Sequence, residues 1–207
     1  MTGSNPNARL EAFCDAVFAI AMTLLVIDVR LPSTETIAST GELWRARRGL
    51  APTIFAFVFS FGIILITWVN HQAAMKLVNK SSPAFIYANG LLLLTVVVMP
   101  FPTSLMGAFV LTDRAAPAVV LFMGVLALQA VAWIILAHTV LTGGLAGDER
   151  SATTIRGNQR HGYVALVIYG VCAIGAFWYP LAIAILSTMT FIFWLVLSLT
   201  MKPAAAA

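Results

Sequence analysis

The sequence predicts an all-α integral membrane protein with six transmembrane helices per subunit, and three observations carry that expectation. Of the 207 residues, 60% are hydrophobic and only 10% charged, with a mean hydropathy of +0.94, against about 25% charged in soluble domains. The apolar residues gather into six runs long enough for a hydrocarbon core, which takes ~20 helical residues. The basic residues behind the net charge of +4 stand singly or in small groups at the ends of these runs. They read as topology signals, and no nucleic-acid partner is indicated.

The first span, near 8–30, is R-L-E-A-F-C-D-A-V-F-A-I-A-M-T-L-L-V-I-D-V-R. Arg9, Glu11 and Asp15 bracket its uncharged stretch at one end, and Asp28 and Arg30 at the other. On a wheel of about 100° per residue, Phe13, Val17, Ile20, Leu24, Ile27 and Leu31 form one narrow stripe with Thr23 beside it. Asp15 faces the other way, with Ala19, Met22 and Val26. A carboxylate in hydrocarbon costs at least ~2.5 kcal/mol, so this helix is expected to be buried among protein neighbours. The residues before Arg9 lack the basic cluster of a signal peptide, so the first span is expected to stay in the mature protein.

A polar linker from Pro32, P-S-T-E-T-I-A-S-T-G-E, leads to Trp44 and the cluster Arg45, Arg47 and Arg48, an interfacial approach to the second span near 51–78. That span is rich in phenylalanine and closes on T-W-V-N-H-Q, followed by Lys76 and Lys80. Ser81-Ser82-Pro83 breaks the chain. The third span, near 84–110, carries Asn89 and a leucine run, then the breaker P-F-P-T at Pro100 to Thr103, where a kink is expected. The fourth, near 115–141, contains Gln129, Trp133 and His138. The stretch from Gly143 to His161 is the longest of soluble character and is read as a loop. The fifth and sixth spans, near 159–179 and 181–201, are joined at Trp178-Tyr179-Pro180 as a tight antiparallel hairpin. Residues 1–207 are read as one domain without internal duplication. Cys14 and Cys172 are expected to be buried small hydrophobes, not a disulfide. With the N-terminus inside, Arg9, Lys76, Lys80, Arg150, Arg156, Arg160 and Lys202 lie inside, against Arg30, Arg45, Arg47, Arg48 and Arg114 outside. This weak bias places both termini in the cytoplasm.

Two sets of residues bear on function. If the first helix runs outward and the second returns, the end of the second is level with the start of the first. Arg9, Phe13, Asp15, Trp68, Asn70, His71 and Asn89 then form a structural polar network, in which an acid, an imidazole, an indole N–H and amides satisfy one another away from water. The plainer alternative leaves Trp68 and His71 at headgroup level. The second set is the stripe Ile20, Leu24 and Ile27 with Thr23, for which packing and pore lining both stay open on the residues alone. No H-E-x-x-H or other histidine pair at helical spacing suggests a metal. There is no G-x-S-x-G motif or phosphate loop, so neither an enzyme nor a cofactor is expected. Voltage-sensor spacing of basic residues and a T-V-G-Y-G filter are missing too.

The first span resembles the first helix of the transmembrane protein 175 family, the endolysosomal potassium channel and its prokaryotic relatives. The family signature, Arg-x-x-x-Phe-Ser-Asp, has its counterpart in Arg9, Phe13, Cys14 and Asp15, with cysteine in place of serine and one hydrogen-bond donor weakened. Further matches are W-V-N-H at Trp68 to His71, Asn89 with its leucine run, and P-F-P-T. They cover the first half of the chain; the second half agrees in helix number and spacing alone. The resemblance implies a potassium-permeable, leak-type cation channel in a prokaryotic plasma membrane. It further implies a homotetramer, its pore lined by the first helix of each subunit and constricted at Ile20, Leu24 and Ile27, with Thr23 adjacent. Potassium and other monovalent cations, together with the bilayer, are then the partners. The competing reading is a proton-coupled secondary transporter using Asp15 and His71, and a third is a structural scaffold. No inverted repeat or interrupted span favours the transporter.

Overall fold

A computed structural model describes residues 6–29 and 39–200, and the described chain is helical almost throughout. Helix α1, Ala8–Leu24, tightens into a 3₁₀ turn at Leu25–Asp28. Arg30, Leu31 and Lys202, all used in the sequence reading, lie outside the described residues. Helix α2, Thr40–Gly49, replaces the tail of the expected linker. It opens on a reciprocal cap: Glu42 N–H donates to the Ser39 hydroxyl at 3.3 Å, and Ser39 N–H donates to the Glu42 carboxylate at 3.2 Å.

Helix α3, Ala51–Met75, has Pro52 in its first turn, where a missing N–H costs nothing. Helices α4, Pro83–Val98, and α5, Pro100–Phe109, share the third span and part at Met99. Pro100 and Pro102 supply no N–H there, and Met99 N–H makes a tight bond to Val96 instead. Helix α6 is Ala115–Thr142, α7 is Glu149–Gly175, and α8 is Pro180–Thr200.

Helix α7 corrects the expected loop at Gly143 to His161, since only its first few residues are non-helical. The Asp148 carboxylate accepts the Ser151 N–H at 2.6 Å, and this bond holds its carboxyl below the ordinary range. Ala152 and Ile155 bury one side of the polar first half. By length and composition, four stretches of the described residues suffice to cross a membrane: Ala8–Ile27, Ala51–Met75, Pro83–Phe109 and Ala115–Thr142. Six were expected; α7 is polar in its first half, and α8 contributes a shorter apolar stretch, Pro180–Val196.

Helix α1 packs on α3 and α4, α4 on α6, and α6 along most of α7. One core cluster joins Phe18 of α1 and Leu25 of the 3₁₀ turn to Phe59, Ile64, Val96, Met99 and Phe122, with the Phe59 and Phe122 rings stacked at 5.7 Å. A second joins Phe85 and Leu92 to Leu136, Leu145 and Ile155. Cys14 and Cys172 are free and buried in the first cluster.

The α3–α5 contact is close enough to need glycine at 107, where an added Cβ would stand 2.9 Å from the Thr53 Cα. At Gly124 of α6 an added Cβ meets nothing within 4 Å. Gly107→Ala should therefore lower the thermal stability of the detergent-solubilised protein, by about 1–3 kcal/mol as for other overpacked sites. Gly124→Ala should be neutral or slightly stabilising, as helix propensity alone gives. Equal effects in the two unfolding curves would remove the α3–α5 contact as the reason for glycine at 107.

Candidate functional site

The periodicity of α1 divides its surface in two. Cys14, Phe18, Ala21 and Leu25 are wholly buried against α3 and α4. Phe13, Ile20, Leu24 and Ile27 are 59, 58, 39 and 62% exposed. Thr23 is exposed beside them, its hydroxyl returned to the Ile20 carbonyl at 2.8 Å. The change from α to 3₁₀ geometry after Leu24 aligns this face further, because residues three apart eclipse in a 3₁₀ turn. Ile27 thereby comes to lie almost directly over Leu24.

Asp15 stands at the margin of the packed face. Trp68 and Gln72, one turn apart on α3, both donate to its Oδ1, the indole N–H at 2.9 Å and the amide at 2.6 Å. His71 projects from the next face of α3 and is buried. Its Nε2 lies 2.9 Å from Asn89 Oδ1, and the Asn89 amide donates to the Phe85 carbonyl at 2.8 Å. That second bond turns the amide oxygen toward the imidazole, so Nε2 carries the proton between them. Phe18 and Trp133 flank the imidazole, with ring centroids at 5.5 and 6.4 Å. Its Nδ1 has no hydrogen-bond partner among the described residues.

The expected single network is thus two separate units, Asp15 with Trp68 and Gln72, and His71 with Asn89. Three of the named residues fall outside both. Phe13 shares the exposed face with Ile20, seven residues and nearly two turns along the helix, so it cannot also face α3. Arg9 is exposed at the start of the same face, and no hydrogen bond joins it to either unit. Asn70 is about 200° around α3 from Trp68 and lines a cavity on the far side of that helix. Gln72 was missed although T-W-V-N-H-Q contains it. The available signal was its position four residues after Trp68, on the same helical face.

No group of three or more His, Cys, Asp or Glu suited to a metal occurs among the described residues. The arrangement is a polytopic helical bundle whose first helix is pinned by polar contacts along one side and leaves an aligned apolar face on the other, the form of a membrane channel subunit. Residues 9–100 match the model of the family described as endosomal/lysosomal potassium channel TMEM175. A potassium channel of Streptomyces collinus is 32% identical over 187 residues, 87% of this chain and 82% of that one. A potassium channel of Chamaesiphon minutus is 40% identical over 119 residues, a match that takes in 58% of each chain. The crystal structure of a lysosomal potassium-selective channel TMEM175 homolog from Chamaesiphon minutus superposes with a TM-score of 0.82 at 30% identity, covering 93% of this chain and 97% of that one. The chain belongs to the TMEM175 family.

Double-mutant cycles test the two-unit arrangement. Asp15→Ala and Gln72→Ala should couple by at least ~1 kcal/mol in thermal or denaturant unfolding, since a charged hydrogen bond joins them. Asp15→Ala and Asn89→Ala share no bond and should add within ~0.5 kcal/mol. A coupling of the first size in the second cycle would merge the units into one network.

Proposed function

We propose that the chain is one subunit of a homotetrameric, potassium-permeable, leak-type cation channel in a plasma membrane. Each subunit crosses the bilayer six times, α7 and α8 supplying the last two spans, with both termini cytoplasmic. The first helix of each subunit lines the pore, and Ile20, Leu24 and Ile27 form a hydrophobic constriction with Thr23 beside it. The observation that carries this reading is the aligned, exposed apolar face of α1 on a helix otherwise held tightly by its own subunit.

The flank of that face adds support. Ala12, Ala16, Ala19 and Thr23 are exposed at helical spacing, and small residues in such a row let another helix approach closely within a bilayer. A second copy of α1 seated on the small row would turn the larger side chains toward a common axis. One subunit offers a single copy and cannot close a ring, whereas cyclic symmetry closes it. Membership of a family described as a potassium channel points the same way. A narrow apolar ring makes a cation shed water, which costs less for potassium than for sodium, so modest preference follows without a carbonyl cage. The polar units at Asp15 and His71 then serve to hold the helix.

Bi-ionic reversal potentials in reconstituted bilayers test the constriction. Ile20→Asn and Ile27→Asn should each raise sodium permeability relative to potassium, because an amide in the ring replaces part of the lost hydration. An unchanged ratio in both variants would take α1 out of the pore. Light scattering of the solubilised protein should give the mass of four subunits, and a conducting monomer would overturn the assembly. Resolvable unitary current steps are expected; their absence, with slow coupled uptake in their place, would favour the proton-coupled transporter.

A further inference from the structure

A cavity of about 160 Å³ lies between α3, α6, α7 and the far half of α8, lined by residues other than those of α1. Its walls combine aromatic and aliphatic side chains, Trp133, Phe191 and Trp194 among them, with the polar Asn70, Asn158 and His161. Into this setting α6 brings Gln129, which is 7% exposed. The Gln129 amide lines the cavity and makes no hydrogen bond to the described residues. The Tyr169 hydroxyl lies at the same wall, close to the Trp194 indole N–H, which is itself shielded from the open space. Buried polar groups are costly to leave unpaired, above all at membrane depth, so the Gln129 amide facing the cavity calls for an occupant that hydrogen-bonds.

We propose that this cavity is a binding site for a small neutral amphiphile: one aromatic ring bearing a single hydroxyl or N–H, of the phenol and indole class. Size, lining and charge each narrow the choice. An apolar cavity of about 150 Å³ takes one benzene ring, so a single substituted ring fits. The aromatic walls suit its faces by stacked and edge-on contact. A hydroxyl both donates and accepts, as the Gln129 amide does. No Asp or Glu lines the cavity, so a cation would enter without a countercharge, while a purely apolar ring would leave Gln129 unpaired. The site is independent of the pore assigned to α1, and either reading can fail without the other.

The test is a ligand-observed NMR titration of the purified full-length protein in nanodiscs, with phenol and toluene as probes of nearly equal shape. Phenol should bind saturably and roughly tenfold tighter than toluene, the worth of about one buried hydrogen bond. Gln129→Leu, which keeps the side-chain volume, should weaken phenol and tighten toluene, so that the roughly tenfold preference for phenol is lost. Ala165→Phe, which puts a ring into the space, should abolish binding of both. No saturable phenol binding to the wild type would mean that water or an acyl chain fills the cavity, and would overturn the proposal. So would equal affinity for the two probes, a comparison that needs no variant, or phenol binding unaltered by both substitutions.

Discussion

The rotation of α1 depends on one carboxylate. Lipid tails are as apolar as leucine, so in a bilayer an apolar helix face has little preference for protein over lipid, and hydrophobic burial alone selects no rotation. Asp15 removes that freedom, because a carboxylate needs hydrogen-bond donors and hydrocarbon has none. Trp68 and Gln72 supply two from adjacent turns of α3. With that contact made, Cys14, Phe18, Ala21 and Leu25 must face α3 and α4, and Phe13, Ile20, Leu24 and Ile27 must face away. A turn of α1 by one residue's angle would strand the carboxylate and withdraw Phe18 from the His71 ring.

Helix α3 does the complementary work by dividing its polar residues among three directions. Trp68 and Gln72 reach α1, His71 reaches Asn89 of α4, and Thr67 and Asn70 face the cavity shared with α6, α7 and α8. Six consecutive residues therefore tie one helix to most of the bundle. Headgroup solvation is the plainer alternative that the sequence offers for the polar end of the second span. In the fold these side chains turn to different sides of α3, Trp68 and Gln72 to one carboxylate and His71 to one amide, and so hold its rotation.

Much of the first helix was legible because its periodicity is strict, and a wheel suffices to separate Asp15 from the stripe of Ile20, Leu24 and Ile27. Antiparallel succession of spans was likewise enough to bring Trp68 level with Asp15. The same wheel, applied to every member of the polar set, would have excluded Phe13, which shares its angle with Ile20, and Asn70, which faces away from Trp68. Gln72 escaped notice because an amide at a span end is unremarkable until its spacing from Trp68 is counted. The start of α7 escaped because the polarity of Glu149 to His161 outweighed quieter signals: Asp148 three residues before Ser151, then Ala152 and Ile155 three apart. The cap at Ser39 and Glu42 has the S-x-x-E pattern and was readable, but lay within a stretch dismissed as linker. The cavity left no trace in sequence, since its lining comes from four helices with no common periodicity.

Position 14 shows how the carboxylate's pairing tolerates a change beside it. The resemblance that identifies the first helix has serine there, and this chain has cysteine, which gives up a good hydrogen-bond donor. Cys14 is wholly buried in a cluster with Phe18, Leu25, Phe59 and Val96, a setting that asks for a small hydrophobe, and free cysteine is one. It is the immediate neighbour of Asp15 and therefore about 100° away around the helix. The donors that Asp15 requires come from α3. Cysteine thus suits the apolar contact of α1 with its subunit, while the contact that sets its rotation is made by Trp68 and Gln72.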